Sequence, residues 1–237
     1  MTRRRRQLSS NVRHLTVAYD DVVKEFIDFV NLQVGVYMNS IAGFSGAKIQ
    51  MERQSARVLR AQSRKIDARG DQVITHQSFE DPQRPDVIHS RIVTAEKFIQ
   101  ENSLGGINQR QLSYSVIVFI FTYWEDEIRP RLAAASNAEL KNVKCEIMGD
   151  LRCIRNSILH TKGVFTPEWH KKLVVLKDYF AVDKPIEISY ELMHQIFVKV
   201  KQGCTKLILE WLGEDPGDRF DIDQLKGFAI QKGSRNA

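Results

Sequence analysis

The chain is short of the residues that punctuate structure. Its 237 residues include 13 glycines and 6 prolines, which disfavours the turn-rich strands of a β-sandwich or barrel. There are 3 cysteines, Cys145, Cys153 and Cys204, an odd number with no Cys-x-x-Cys pair. That pattern argues against a disulfide framework or a zinc ribbon, and the thiols are expected reduced, in or near the core of a cytoplasmic protein. Long apolar runs are missing too. The longest, Val116–Phe121, falls far below the roughly 20 residues that cross a bilayer, so no membrane association is expected. No apolar stretch follows the basic "TRRRRQLSSN", so no secretory signal is expected. No glycine-rich loop has phosphate-binding spacing and no Cys/His group has zinc spacing. Neither a cofactor nor a metal site is therefore expected.

What remains is an ordinary globular composition, 43% hydrophobic and 27% charged, long enough for one large domain or a domain with an appendage. The net charge of +6 is unevenly placed. Residues 1–69 carry 13 Lys/Arg against 6 Asp/Glu, while the rest of the chain is close to neutral. An excess of this kind suits a polyanionic partner, a nucleic acid or a membrane surface, and charge alone does not choose between them.

Apolar residues recur at helical spacing through Tyr19, Val22, Val23, Phe26, Val30, Val34 and Tyr37. "GFSG" at 43–46 is expected to break that helix, and a second is expected from about Ala47 to Ile66. The two would form a basic helical hairpin over 15–66, behind a flexible basic arm at 1–14. On the second helix Arg53, Arg57, Arg60 and Arg64 recur at i, i+4, i+7 and i+11. That spacing confines them to an arc of about 60°. Such a stripe can follow a nucleic-acid backbone, or it can be a solvated face. Residues 67–88 carry Pro82 and Pro85 without periodicity and are expected to be a linker.

A helical bundle is then expected over 89–212, with a polar tail at 213–237. Its helices are expected up to about Asn102, from Asn108 to Ala135, from Ala138 to His160, from Thr166 through "TPEWHKKLVVLKDYF", and from Ser189 to about Leu212. Pro130 is expected to kink the second of these or mark its last turns. Thr166 is expected to cap the fourth, with Pro167 at its first position. The fold class is therefore all-α.

The stretch "RCIRNSILHTKG", 152–163, carries the chemistry. Ile147, Leu151, Ile154 and Ile158 share an arc of about 60° and form the expected core face. Arg152, Arg155, Asn156 and His160 spread over about 140° on the other side. Arginine offers a planar fork to phosphate oxygens. Histidine moves protons near neutral pH, and Asn156, one turn before His160, could orient it.

At this point the sequence resembles the HEPN superfamily, the higher eukaryote and prokaryote nucleotide-binding domains. Their signature is an Arg, a polar residue and, a few positions on, a His, matched here by Arg155, Asn156 and His160 within "GDLRCIRNSILHTKGV". "FTYWEDEIRPRLAAAS", one helix upstream, is similar to a Trp-Glu helix of bacterial HEPN proteins from defence and toxin loci. The resemblance covers roughly 88–212. It implies a HEPN-like bundle and a metal-independent ribonuclease working as a homodimer, with the two Arg–His motifs meeting at a composite site. A bacterial toxin or antiviral effector, with RNA as substrate and an antitoxin or defence protein as a possible partner, is the role it implies. HEPN toxins encoded beside a nucleotidyltransferase typically carry a Tyr two residues after the His. Lys162 stands there, so neutralisation by modification of that position is not expected.

The alternative of a non-catalytic RNA- or nucleotide-binding HEPN module uses the same basic surface. Glu125 could orient Arg155 or His160, or simply pair with Arg129 at i, i+4. Asp150 and Arg152 flank the motif and suit structural or interface contacts, and Lys162 could add an RNA contact. Trp124 is expected in the core, and His170 and His194 are expected to be ordinary polar histidines.

Overall fold

A computed structural model describes residues 10–61, 73–81 and 83–213. Helix makes up 75% of what is described, and the fold is all-α apart from a single two-stranded hairpin. In order the elements are α1 (Ser10–Ala61), β1 (Val73–Asp81), β2 (Arg84–Thr94), α2 (Ala95–Glu101), α3 (Ile107–Tyr123), a π-helical turn (Trp124–Ile128), α4 (Arg129–Ala135), α5 (Glu146–His160), α6 (Pro167–Lys171) and α7 (Tyr190–Leu212). The chain divides into two compact units. One comprises Met1–Leu32, Ile117–Ile186 and His194–Ala237; the other comprises Gln33–Val116 and Glu187–Met193.

The expected helical hairpin is instead one helix. α1 passes through Gly43 and Gly46 without a break. A glycine in a helix costs about 1 kcal/mol relative to alanine, a penalty the helix absorbs because no proline follows and residues on both sides are anchored. Tyr37 and Ile41 are buried before the glycines and Ser55 after them. Nor is the N-terminal segment a separate appendage. Val22, Val23, Phe26 and Val30 are buried in the first unit, where the Phe26 ring lies 5.4 Å from that of Trp124.

Of the linker expected at 67–88, residues 73–81 and 84–88 lie in strands, and 67–72 and Pro82 are outside the described residues. β1 and β2 pair antiparallel from Val73–Thr94 to Asp81–Arg84. β-Branched residues dominate the well-paired end, Val73, Ile74 and Thr75 facing Ile92, Val93 and Thr94, and such residues favour the pleat. The alternation is visible in burial: Val93 is buried while Ile92 is exposed. Pro85 sits next to the turn, where a missing ladder donor is tolerated. The helix expected to run up to Asn102 is consequently shorter. It begins at Ala95, with the Thr94 side chain accepting the Lys97 amide at 3.2 Å. In the same unit Tyr37 is fully buried, and its hydroxyl accepts from Gln109 Nε2 at 3.3 Å. Arg91 pairs with Glu101.

In the first unit, α3 runs into the π turn, where the Arg129 amide reaches back to the Trp124 carbonyl. Pro130 follows immediately. It lacks an N–H and its ring crowds the carbonyl four residues back, so the widened turn relieves the crowding and the helix continues to Ala135. The region expected to open the next helix holds a 3₁₀ turn, Leu140–Asn142, and α5 begins only at Glu146. Thr166 caps α6, accepting the Trp169 amide at 3.4 Å, but the helix ends at Lys171. α7 matches the sequence expectation closely. Of the flexible arm expected at 1–14, residues 10–14 belong to α1; residues 1–9, Arg64 and the tail beyond 213 lie outside the described residues.

Candidate active site

α5 is amphipathic in the manner its sequence dictates. Ile147, Met148, Leu151, Cys153 and Ile154 are buried, and Ile158, expected in the core, is half-buried. On the opposite side Arg152, Leu159 and His160 are exposed, with Arg155 and Asn156 half-buried between them. The helix stops where Lys162 and Gly163 take positive φ values of 55° and 77°. The Gly163 amide returns to the Ser157 carbonyl at 2.9 Å. Only a residue tolerant of the left-handed region fits there without strain, which is glycine's role.

Within the motif, Arg155 Nη1 donates to Asn156 Oδ1 at 2.9 Å. Asn156 therefore orients the guanidinium, not the imidazole of His160 as its spacing suggested. Among the described residues Arg155 Nε is buried without a hydrogen-bond partner. A buried unpaired donor costs about 1–3 kcal/mol. His160 stands on the last turn of α5, its side chain open to solvent.

The flanking residues separate into structural tasks. Glu125 lies in the π turn and receives Arg129 Nη1 at 2.9 and 3.1 Å. It reaches α5 only at Arg152, whose Nη2 is 3.4 Å away. Orientation of Arg155 or His160 by Glu125 is thus not what the geometry provides. Arg129 also bonds the carbonyls of Val143 and Leu140, each at 3.1 Å, clamping the turn that precedes α5. Asp150 is buried and accepts the amides of Val174, Val175 and Leu176 at 2.9, 2.7 and 2.7 Å. It is a cap for the segment after α6, and this explains why α6 is short: amides that would extend the helix bond to Asp150 instead.

Trp124 is buried, as expected. His170 Nε2 lies 2.9 Å from the Phe180 carbonyl, and His194 packs edge-on to Phe197. All three cysteines are free. Burial pushes the Cys145 and Cys153 thiols up to about 11 and raises Cys204 further, which suits inert thiols. Among the described residues no group of three His, Cys, Asp or Glu side chains gathers to hold a metal, and no helix is long and apolar enough to cross a membrane. Arg53, Arg57 and Arg60 are exposed on α1. They belong to the second unit and the motif to the first. Lys162 is exposed.

Sequence reasoning missed a second cluster. Glu25 accepts both Arg131 guanidinium nitrogens at 2.7 Å and the Tyr123 hydroxyl at 2.6 Å. Nothing in the spacing of residues 25, 123 and 131 signals this, because the contact joins α1 to helices a hundred positions away. Comparisons with protein-family models, characterised proteins and solved structures found no match.

Proposed function

We propose that this chain is a HEPN-type endoribonuclease that cleaves RNA by 2′-OH transesterification without a metal, in a cytoplasmic bacterial toxin or antiviral effector. The observation that supports this most is the outward strip of α5, where a guanidinium fixed by Asn156 lies two turns or less from a solvent-open imidazole. The chemistry needs three things: a base for the ribose 2′-OH, an acid for the departing 5′-oxygen, and positive charge at phosphorus. O2′ attacks phosphorus, the P–O5′ bond breaks, and the products are a 2′,3′-cyclic phosphate and a 5′-hydroxyl. Arg155 supplies the charge and His160 one proton carrier. A second carrier comes from the His160 of a second copy, so the active form in this proposal is a homodimer. Lys162 would add a phosphate contact beside the motif, and the Arg53, Arg57 and Arg60 stripe would by itself be a phosphate-binding surface of the second unit.

A specific observation favours a second reading, a binding module without catalysis. Among the described residues no side chain is hydrogen-bonded to the His160 imidazole, and Asn156 Oδ1 is taken by Arg155. The two readings part in one experiment: cleavage of total RNA by purified protein in EDTA, beside His160→Ala and Arg155→Ala. EDTA-resistant cleavage with cyclic-phosphate ends, lost in both variants, supports the nuclease. RNA binding without cleavage by any of the three supports the module.

A further inference from the structure

A cavity of about 890 Å³ opens at the N-terminal end of α5. The first and last residues of α5 are about 21 Å apart along its axis, so this cavity and His160 occupy opposite ends of one helix. Every residue of its wall belongs to the first unit. Its size lies within the range of small-molecule sites.

Two features of the wall define what would bind. The first is an aromatic pair. Tyr19 from α1 and Trp211 from the end of α7 stack with ring centroids 4.8 Å apart and planes at 5°. Tyr19 is buried and Trp211 half-buried, so the aromatic face open to the cavity is chiefly that of Trp211, backed by Tyr19. The second is a polar stripe along α7, in which Lys199, Gly203, Lys206 and Glu210 recur at helical spacing and all line the cavity. Lys206 Nζ lies 3.8 Å from a carboxylate oxygen of both Glu146 and Glu210, so the two acids share one cation. Lys144 and Lys199 also line the cavity, and neither is ion-paired among the described residues. The charged side chains of the wall thus leave a surplus of one positive charge, with two ammonium groups available to meet it. Gly203 makes the arrangement possible: a Cβ there would come within 2.8 Å of Cys145 Sγ and of Ile147.

We propose that this cavity binds a small aromatic carboxylate, its ring system against the Tyr19–Trp211 pair and its carboxylate between the ammonium groups of Lys144 and Lys199. A monoanion balances the surplus charge. The aromatic body replaces water on an apolar wall, and lysines act as point charges that suit a carboxylate without demanding a fixed fork geometry. The site is independent of the ribonuclease proposal, since none of its residues belongs to the motif.

The test is calorimetric titration of the full chain with 2-naphthoate and with its neutral analogue 2-naphthalenemethanol. The expected result is saturable one-to-one binding of 2-naphthoate, about tenfold tighter than the alcohol. Lys199→Gln, with an unchanged circular dichroism spectrum, is expected to weaken 2-naphthoate about tenfold and leave the alcohol unaffected. Lys144→Gln makes the same test should the first variant misfold. His160→Ala is expected to bind as the wild type does. Equal affinity for the two probes, no binding of 2-naphthoate by folded protein, or full affinity in both lysine variants would overturn the proposal.

Discussion

Asp150, on the buried side of α5, accepts the amide N–H of Leu176 at 2.7 Å, and it holds the amides of Val174 and Val175 at the same time. Asp150→Ala leaves these donors without a partner in a dry environment. The expected loss is about 2–3 kcal/mol in urea unfolding. Desolvation raises the Asp150 carboxyl above its usual range, against the lowering pull of the three amides. The folded state therefore binds this proton more tightly than the unfolded one, and the group's contribution to stability grows as pH falls through its folded-state value. Asp150→Asn should remove that component from the pH dependence of the melting temperature. An unaltered profile would contradict the role assigned here.

Glu25 titrates in the opposite sense. Arg131, the stronger influence, and then Tyr123 hold its carboxyl down to about 2 from a usual value of 4.5. Its stabilising contribution is present above the unfolded value and is lost as pH falls toward the folded one. Both side chains of the Glu25–Arg131 pair remain 43% exposed, so solvent screening limits the pair to under about 1 kcal/mol. Arg131→Ala should lower the melting temperature slightly at neutral pH, with the difference from wild type shrinking at the acid end of a pH series.

The unbroken course of α1 makes a clear prediction at Gly43 and Gly46. An added Cβ meets nothing within 4 Å at either position. Alanine at each should stabilise the protein by about 0.5–1 kcal/mol, seen as a higher thermal midpoint. Were the segment a turn between two helices, the same substitutions would be neutral or harmful.

Substitutions on the outward strip of α5 should separate activity from stability. His160→Ala removes an exposed side chain and is expected to change stability by less than about 0.5 kcal/mol. In the proposed nuclease it should lower the cleavage rate by about 10²- to 10⁴-fold. Asn156→Ala frees the Arg155 guanidinium and should lower the rate less than Arg155→Ala does. Rates with defined RNA oligonucleotides, paired with melting curves, check both points.

Much of the architecture was legible residue by residue. The periodicity of α7, the apolar face of α5, the Thr166–Pro167 start of α6 and the stop at Gly163 are local signals, each acting within a turn or two of helix. The misjudged elements were those in which a local signal competed with distant packing. Gly43 and Gly46 looked like a break, yet buried residues on either side carry the helix across them. Pro82 and Pro85 suggested a linker, yet β-branched residues at 73–75 and 92–94 pair into a hairpin. "HKKLVVLKDYF" has helical composition, yet Asp150 takes its amides.

The sequence by itself determined which faces of the helices are apolar and that Arg152, Arg155, Asn156 and His160 share the other side of α5, since 3.6 residues per turn dictates both. Only the tertiary structure decided which partners those side chains take. Asn156 holds Arg155, Glu125 stops at Arg152, and the lysines of α7 meet Tyr19 and Trp211 around a cavity. Helical periodicity is a property of a few neighbouring residues, whereas each of those meetings, save the one between Arg155 and Asn156, depends on how separate helices are brought together by burying their apolar faces.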